Sequence, residues 1–127
     1  MQNGDGGRPV TLEGLQHALQ SLRENLIQAD ADIVSLLLAR ISAWKLSHET
    51  PEELDEMLER VLGRSWFSSD RLHFQVYELV LLFRAKITGL AGMTMDERLA
   101  IFDLMERWAQ SSEHERDALY AKLLARR

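Results

Sequence analysis

The stretch Thr50-Pro51-Glu52-Glu53-Leu54-Asp55-Glu56-Met57-Leu58-Glu59-Arg60-Val61-Leu62-Gly63 decides the fold class. A hydroxyl residue stands three positions before a glutamate, the pattern of a capping box. The hydroxyl oxygen accepts from an orphan N–H of the first helical turn, and the glutamate accepts from the N–H of the cap residue. Pro51 falls at the first helical position, where its missing N–H costs nothing. Leu54, Met57, Leu58, Val61 and Leu62 then recur at spacings of three and four, one face of a helix, and Gly63 is suited to a left-handed stop. The same word occurs twice more, as Thr94-Met95-Asp96-Glu97 and Ser112-Glu113-His114-Glu115, each time ahead of an apolar pattern of helical period. With only seven glycines and two prolines to serve as sheet turns, the chain reads as all-α.

Upstream of this stretch, Leu12, Leu15, Leu19, Leu22, Leu26, Ala29 and Ile33 form a heptad-like seam that continues through Leu36, Leu37, Ile41 and Trp44. Beyond Ile33 no glycine or proline stops it, so the spacing predicts one long helix from about Leu12 to about Leu46. A break near Ala29-Asp30-Ala31-Asp32 is the alternative, because aspartate is a poor interior helix residue and a good cap.

Downstream, a third helix is expected from about Asp70 to about Thr88. Its run Leu79-Val80-Leu81-Leu82-Phe83 covers every face of a helix, which predicts that other helices surround it. A fourth helix follows the Thr94 box with Leu99, Ile101, Phe102, Leu104, Met105 and Trp108 inward. The fifth follows the Ser112 box with Leu119, Tyr120, Leu123 and Leu124 inward. The architecture expected is a bundle of about five helices, with a long first helix and a central apolar third helix. It forms one domain over residues 11–127 behind a disordered tail over residues 1–10.

At 127 residues, with 46% hydrophobic and 28% charged side chains, the chain can build a core without staples. It has no cysteine, which removes thiol nucleophiles, disulfides and Cys-ligated zinc. The first ten residues hold no apolar run that could act as a signal-peptide core, and no stretch is long and apolar enough to span a bilayer. A cytoplasmic location without membrane attachment is the expectation.

The net charge of −5 is placed unevenly. Residues 1–62 carry eleven acids against five bases, and residues 63–127 nine against ten. Nucleic-acid binding needs a basic stripe to neutralise phosphates, and the candidate cluster is Lys122, Arg126 and Arg127 at the C-terminus. Nucleic acid is therefore a weak candidate partner.

The sequence offers little catalytic material. His17, His48, His73 and His114 form neither Glu-x-x-His nor His-Glu-x-x-His, and no phosphate-binding glycine loop or nucleophile elbow occurs. No cofactor, metal site or catalytic residue is expected. Leu22-Arg23, Asp30, Ile33-Val34-Ser35-Leu36-Leu37 and Arg40 resemble the long first helix of AroQ-type chorismate mutases. That resemblance implies an all-helical dimer in which Arg23 and Arg40 bind a dianionic substrate. The chain departs from the family's pattern further on: carboxylates fill Glu52-Glu53-Leu54-Asp55-Glu56 where that site uses cations, and like charges cost affinity for an anion.

The strongest surface feature is acidic. Glu49, Glu52, Glu53, Asp55, Glu56 and Glu59 lie within eleven residues, more than the helix dipole requires at an N-terminus. Glu52, Glu53, Glu56 and Glu59, with Trp66 and Phe67 in the next connector, are the candidate partner-binding residues. The sequence thus points to a non-enzymatic interaction protein, an adaptor, regulator or chaperone, that binds a protein partner of basic character and self-associates as a homo-oligomer.

Overall fold

The computed structural model describes residues 11–124. The expected tail over residues 1–10 and the terminal Arg126 and Arg127 lie outside the described residues. Among the described residues the fold is all-helical, with α1 (Leu12–Arg23), α2 (Gln28–Leu46), α3 (Pro51–Gly63), α4 (Asp70–Thr88), a 3-10 turn (Leu90–Gly92), α5 (Met95–Ile101), α6 (Met105–Gln110) and α7 (Glu113–Leu124). That is seven α-helices where about five were expected, because two predicted helices are each divided.

All three capping boxes form. The Thr50 N–H donates to Glu53 Oε1 at 2.8 Å and the Glu53 N–H to Thr50 Oγ1 at 3.2 Å. Reciprocal pairs of the same kind join Thr94 to Glu97 and Ser112 to Glu115. Thr11 and Ser69 cap α1 and α4 by accepting from the N–H groups of Gly14 and Leu72. Gly63, however, is the last residue of α3 and not a left-handed stop; no described glycine has a positive φ, and Arg64 closes the helix at φ −105°.

The long first helix is overturned. The chain leaves helical geometry over residues 24–27, and α2 folds back along α1 as an antiparallel hairpin, with Gln16 bonded to Ser42 and Arg23 to Ser35. The seam is real but belongs to two helices that bury it against each other: Leu12, Leu15 and Leu19 on one, Val34, Leu37 and Ile41 on the other. The N-cap of α2 is Ile27, with no side-chain cap bond, so Asp30 is not the cap. It lies in the first turn, is buried, and accepts from the Ser68 N–H at 2.9 Å and Ser68 Oγ at 2.5 Å, tying α2 to the connector ahead of α4.

The predicted fourth helix is also divided. Asp103 sits at φ 59°, in the left-handed region that aspartate tolerates better than most residues, and separates α5 from α6. Its carboxylate accepts from the Glu13 N–H at 2.5 Å, so the kink doubles as a contact to the start of α1. Burial pushes the Asp103 carboxyl above its ordinary range, and the Glu13 N–H opposes that shift. Phe102 and Leu104 remain buried beside the kink, while Met105, expected inward, is turned out.

The core joins α1, α2, α3 and α4 through Leu54, Leu58, Val76, Val80 and Phe83. Trp44 and Phe83 both contact the Phe102 ring, carrying that core towards α5. Leu119 and Leu123 bring α7 in, but Tyr120 and Leu124, also expected inward, are about half exposed. No described helix is long and apolar enough to cross a membrane.

Candidate interaction surface

Helix α4 has two apolar faces. At 3.6 residues per turn, Leu72, Val76, Val80 and Phe83 share one side, and all four are buried. Phe74, Tyr77 and Leu81 share the opposite side and remain exposed, at 69%, 39% and 43%. The expectation that the Leu79–Phe83 run is surrounded by helices is therefore overturned. Helix α4 packs chiefly on α1 and α3, while Phe74 and Leu81 stay exposed on the side that carries them.

The connector extends this ridge. Phe67 is buried at 7% exposure and anchors the loop, whereas its neighbour Trp66 is 81% exposed. Trp66 meets α4 at His73. Its ring stacks on Trp66 at 5.8 Å and on Tyr77 at 6.1 Å, with the Phe67 and Phe74 rings tilted or edge-on beside it. Expected at most as a boundary residue, His73 is the centre of an aromatic ladder, and its buried Nδ1 finds no hydrogen-bond partner among the described residues. Stacked rings of this kind lose little conformational freedom on contact with a partner, because they are already held.

The acidic segment is organised differently. Glu53 serves the capping box. Asp55 pairs with Arg84 at 2.5 Å and Glu59 approaches the same guanidinium at 3.5 Å. The hydrogen bond that Arg84 donates to the Asp55 carboxylate is the main influence holding Arg84 above its ordinary pKa. Glu49, Glu53 and Glu56 line a groove of about 330 Å³ between α2 and α3, in which Arg40 and Arg60 also sit over Trp44 and Met57. The sequence-predicted acids are thus divided between two flanks of α3, Asp55 and Glu59 towards Arg84 of α4 and Glu49, Glu53 and Glu56 towards α2.

Arg23 and Arg40 are not gathered into one site. Arg23 donates to Ser35 Oγ at 3.2 Å within the α1–α2 seam. Arg40 faces the acidic groove instead, where an anion would meet three glutamates. A second groove, of about 770 Å³, runs between α1 and α4; it is floored by Leu22, Leu26, Leu79 and Leu82 and edged by His17 and Glu78.

Lys122 corrects the basic cluster. Only 3% exposed, it donates from Nζ to the carbonyls of Trp44, Ser47 and Glu49 at 2.7–2.8 Å, and the ammonium stands 3.8 Å from the centre of the Trp44 ring. It closes the C-terminal end of α2, where the macrodipole favours a cation. It is therefore not a surface charge available to phosphates. Nothing in the linear pattern marks this role, since the residue sits among the apolar positions of α7 without a local partner.

The fold and its surface define an all-α helical bundle with one uncovered aromatic ridge and a charged groove beside α3. No family model, curated protein or solved structure matches the chain.

Proposed function

We propose that this chain is a non-enzymatic helical interaction protein, an adaptor, regulator or chaperone in kind, which works by binding protein and by self-association. The observation that carries the reading is the ridge of Trp66, Phe74, Tyr77 and Leu81. Soluble monomers rarely leave a contiguous aromatic surface of this kind uncovered, and tryptophan and tyrosine dominate the energetics of protein interfaces. The groove lined by Glu49, Glu53 and Glu56 supports a basic segment as a second element of recognition.

Immobilised wild type should capture cellular proteins that Phe74→Glu or Glu56→Lys releases, each variant retaining the helical circular-dichroism spectrum of the wild type. If both folded variants capture the same proteins in the same amounts as the wild type, these surfaces are not the ones used.

A further inference from the structure

We infer that the α4 ridge is covered by the α4 ridge of a second copy, the two helices running antiparallel about a two-fold axis near Phe74. The inference rests on the reading of the chain as an interaction protein and names the occupant of its aromatic surface.

Three features of the surface favour a second copy. The first is area. At about 150–250 Å² for each aromatic side chain, the exposed fractions of Trp66, Phe74 and Tyr77 leave roughly 400 Å² of aromatic surface per chain. Two copies therefore withdraw roughly 800 Å² from these three residues alone. Leu81 and Leu82, at 43% and 36% exposure, and the polar rim then carry the contact past the ~1,000 Å² expected of a specific interface.

The second feature is register. Phe74 and Leu81 are seven residues apart with Tyr77 between them, the a, d, a spacing that keeps one seam of a helix facing a partner. The loop residue Trp66 stacks on the His73 and Tyr77 side of α4. In an antiparallel pair related by a two-fold axis, equivalent flanks of the two helices face each other. With the axis near Phe74, the Trp66 indole, held against His73, lies close to the centre of the contact and faces the same flank of the second copy, where that copy's own Trp66, His73 and Tyr77 stand.

Charge is the third feature. Arg71 and Glu78 are both exposed and lie on the other flank of the ridge, seven residues apart. The same axis brings Arg71 of each copy opposite Glu78 of the other, an isologous exchange of unlike charges. A parallel two-fold pair would place the charged flanks of the two helices on opposite sides of the seam and leave Arg71 and Glu78 without this exchange. The ridge is thus complementary to itself in shape and sign in one orientation.

The test uses the full chain and light scattering coupled to size exclusion over a concentration series. The expected mass at tens of micromolar is twice the chain mass of 14.6 kDa. Phe74→Glu, which places two carboxylates at the axis, should raise the dimer dissociation constant at least about 100-fold. Arg71→Glu and Glu78→Arg should each weaken the dimer several-fold, and the double exchange should restore it. That rescue is specific to the antiparallel register and guards against a Phe74 variant that fails to fold. A monomeric wild type, a dimer indifferent to Phe74→Glu, or a double exchange no better than the single variants overturns the inference. A monomer that still captures other proteins through the ridge would leave the protein-binding part of the proposed function standing, and its self-association and this occupant wrong.

Discussion

Two regions of the molecule break the usual distribution of side chains in opposite directions. At the junction of α2 and α7 a lysine is buried, and along the outer side of α4 a tryptophan and a phenylalanine are exposed. The buried lysine is answered within the chain by three carbonyls and an indole face. Nothing among the described residues answers the exposed aromatics. A compensated anomaly holds a fold together, whereas an uncompensated one points to a contact the single chain does not make.

The contrast is broken most forcefully at Lys122. Lys122→Met keeps most of the aliphatic volume but removes the donors from Trp44, Ser47 and Glu49, and should lower the unfolding free energy by about 2–3 kcal/mol. Urea denaturation followed by circular dichroism measures this. A loss below about 0.5 kcal/mol, the range of an ordinary surface change, would make the lysine incidental. The same pair of proteins tests its charge. Burial pushes the Lys122 ammonium from 10.5 down to about 8; Arg107 acts in the same direction, and Glu49 and Glu53 oppose it. Between those values the folded chain has released a proton that the unfolded chain still binds. Stability from this group therefore rises with pH through the window and is level below it, where both states hold the proton. The gap between wild type and Lys122→Met should widen from about pH 7 to about pH 9.5, and a gap that narrows would contradict the burial effect.

Asp30 is the acidic counterpart of that clasp and sharpens the comparison. It is buried to the same extent and holds the Ser68 N–H and hydroxyl, one residue from the anchored Phe67 and two from Trp66. Asp30→Ala should cost about 1–2 kcal/mol, comparable to the loss of a helix cap. It should also loosen the base of the aromatic ladder, which the intrinsic fluorescence of Trp66 reports. A stable variant with unchanged fluorescence would separate the clasp from the ridge.

What the sequence reveals follows the same division. Local chemistry is legible: the boxes at Thr50, Thr94 and Ser112 form, and α3 and α4 occupy the predicted segments, because a cap is decided by residues within one turn of each other. The break over residues 24–27 is only half legible: Asp30 and Asp32 suggest an interruption nearby, but Glu24-Asn25 carries neither glycine nor proline and the apolar seam runs on across it. Only the return of α2 along α1 shows that two helices share that seam. Asp103 hides the division of α5 from α6 for a similar reason: its partner is the N–H of Glu13, ninety residues away. For the candidate surface, periodicity identifies which residues are apolar and cannot say whether protein or solvent covers them. The run Leu79–Phe83 therefore looks fully enclosed while Leu81 faces outward. Trp66 and Phe67 are adjacent and similar, yet the chain inverts between them, burying one ring and presenting the other.

The smallest effect separates the two regions most cleanly. Trp66 is 81% exposed, and its contact within the chain is the stack on His73. Removing the indole in Trp66→Ser leaves no buried cavity, so the unfolding free energy of the dilute protein should change by no more than about 0.5 kcal/mol. Association adds a term that depends on concentration, because a partner that binds only the folded chain stabilises it by mass action. The midpoint of thermal unfolding of the wild type should therefore rise with protein concentration, and that of Trp66→Ser should rise less. Lys122→Met should behave in the reverse manner, with a lowered midpoint at every concentration and an undiminished slope. If Trp66→Ser lowers the midpoint equally at all concentrations, the indole belongs to the fold, and the ridge is a compensated region like the lysine clasp.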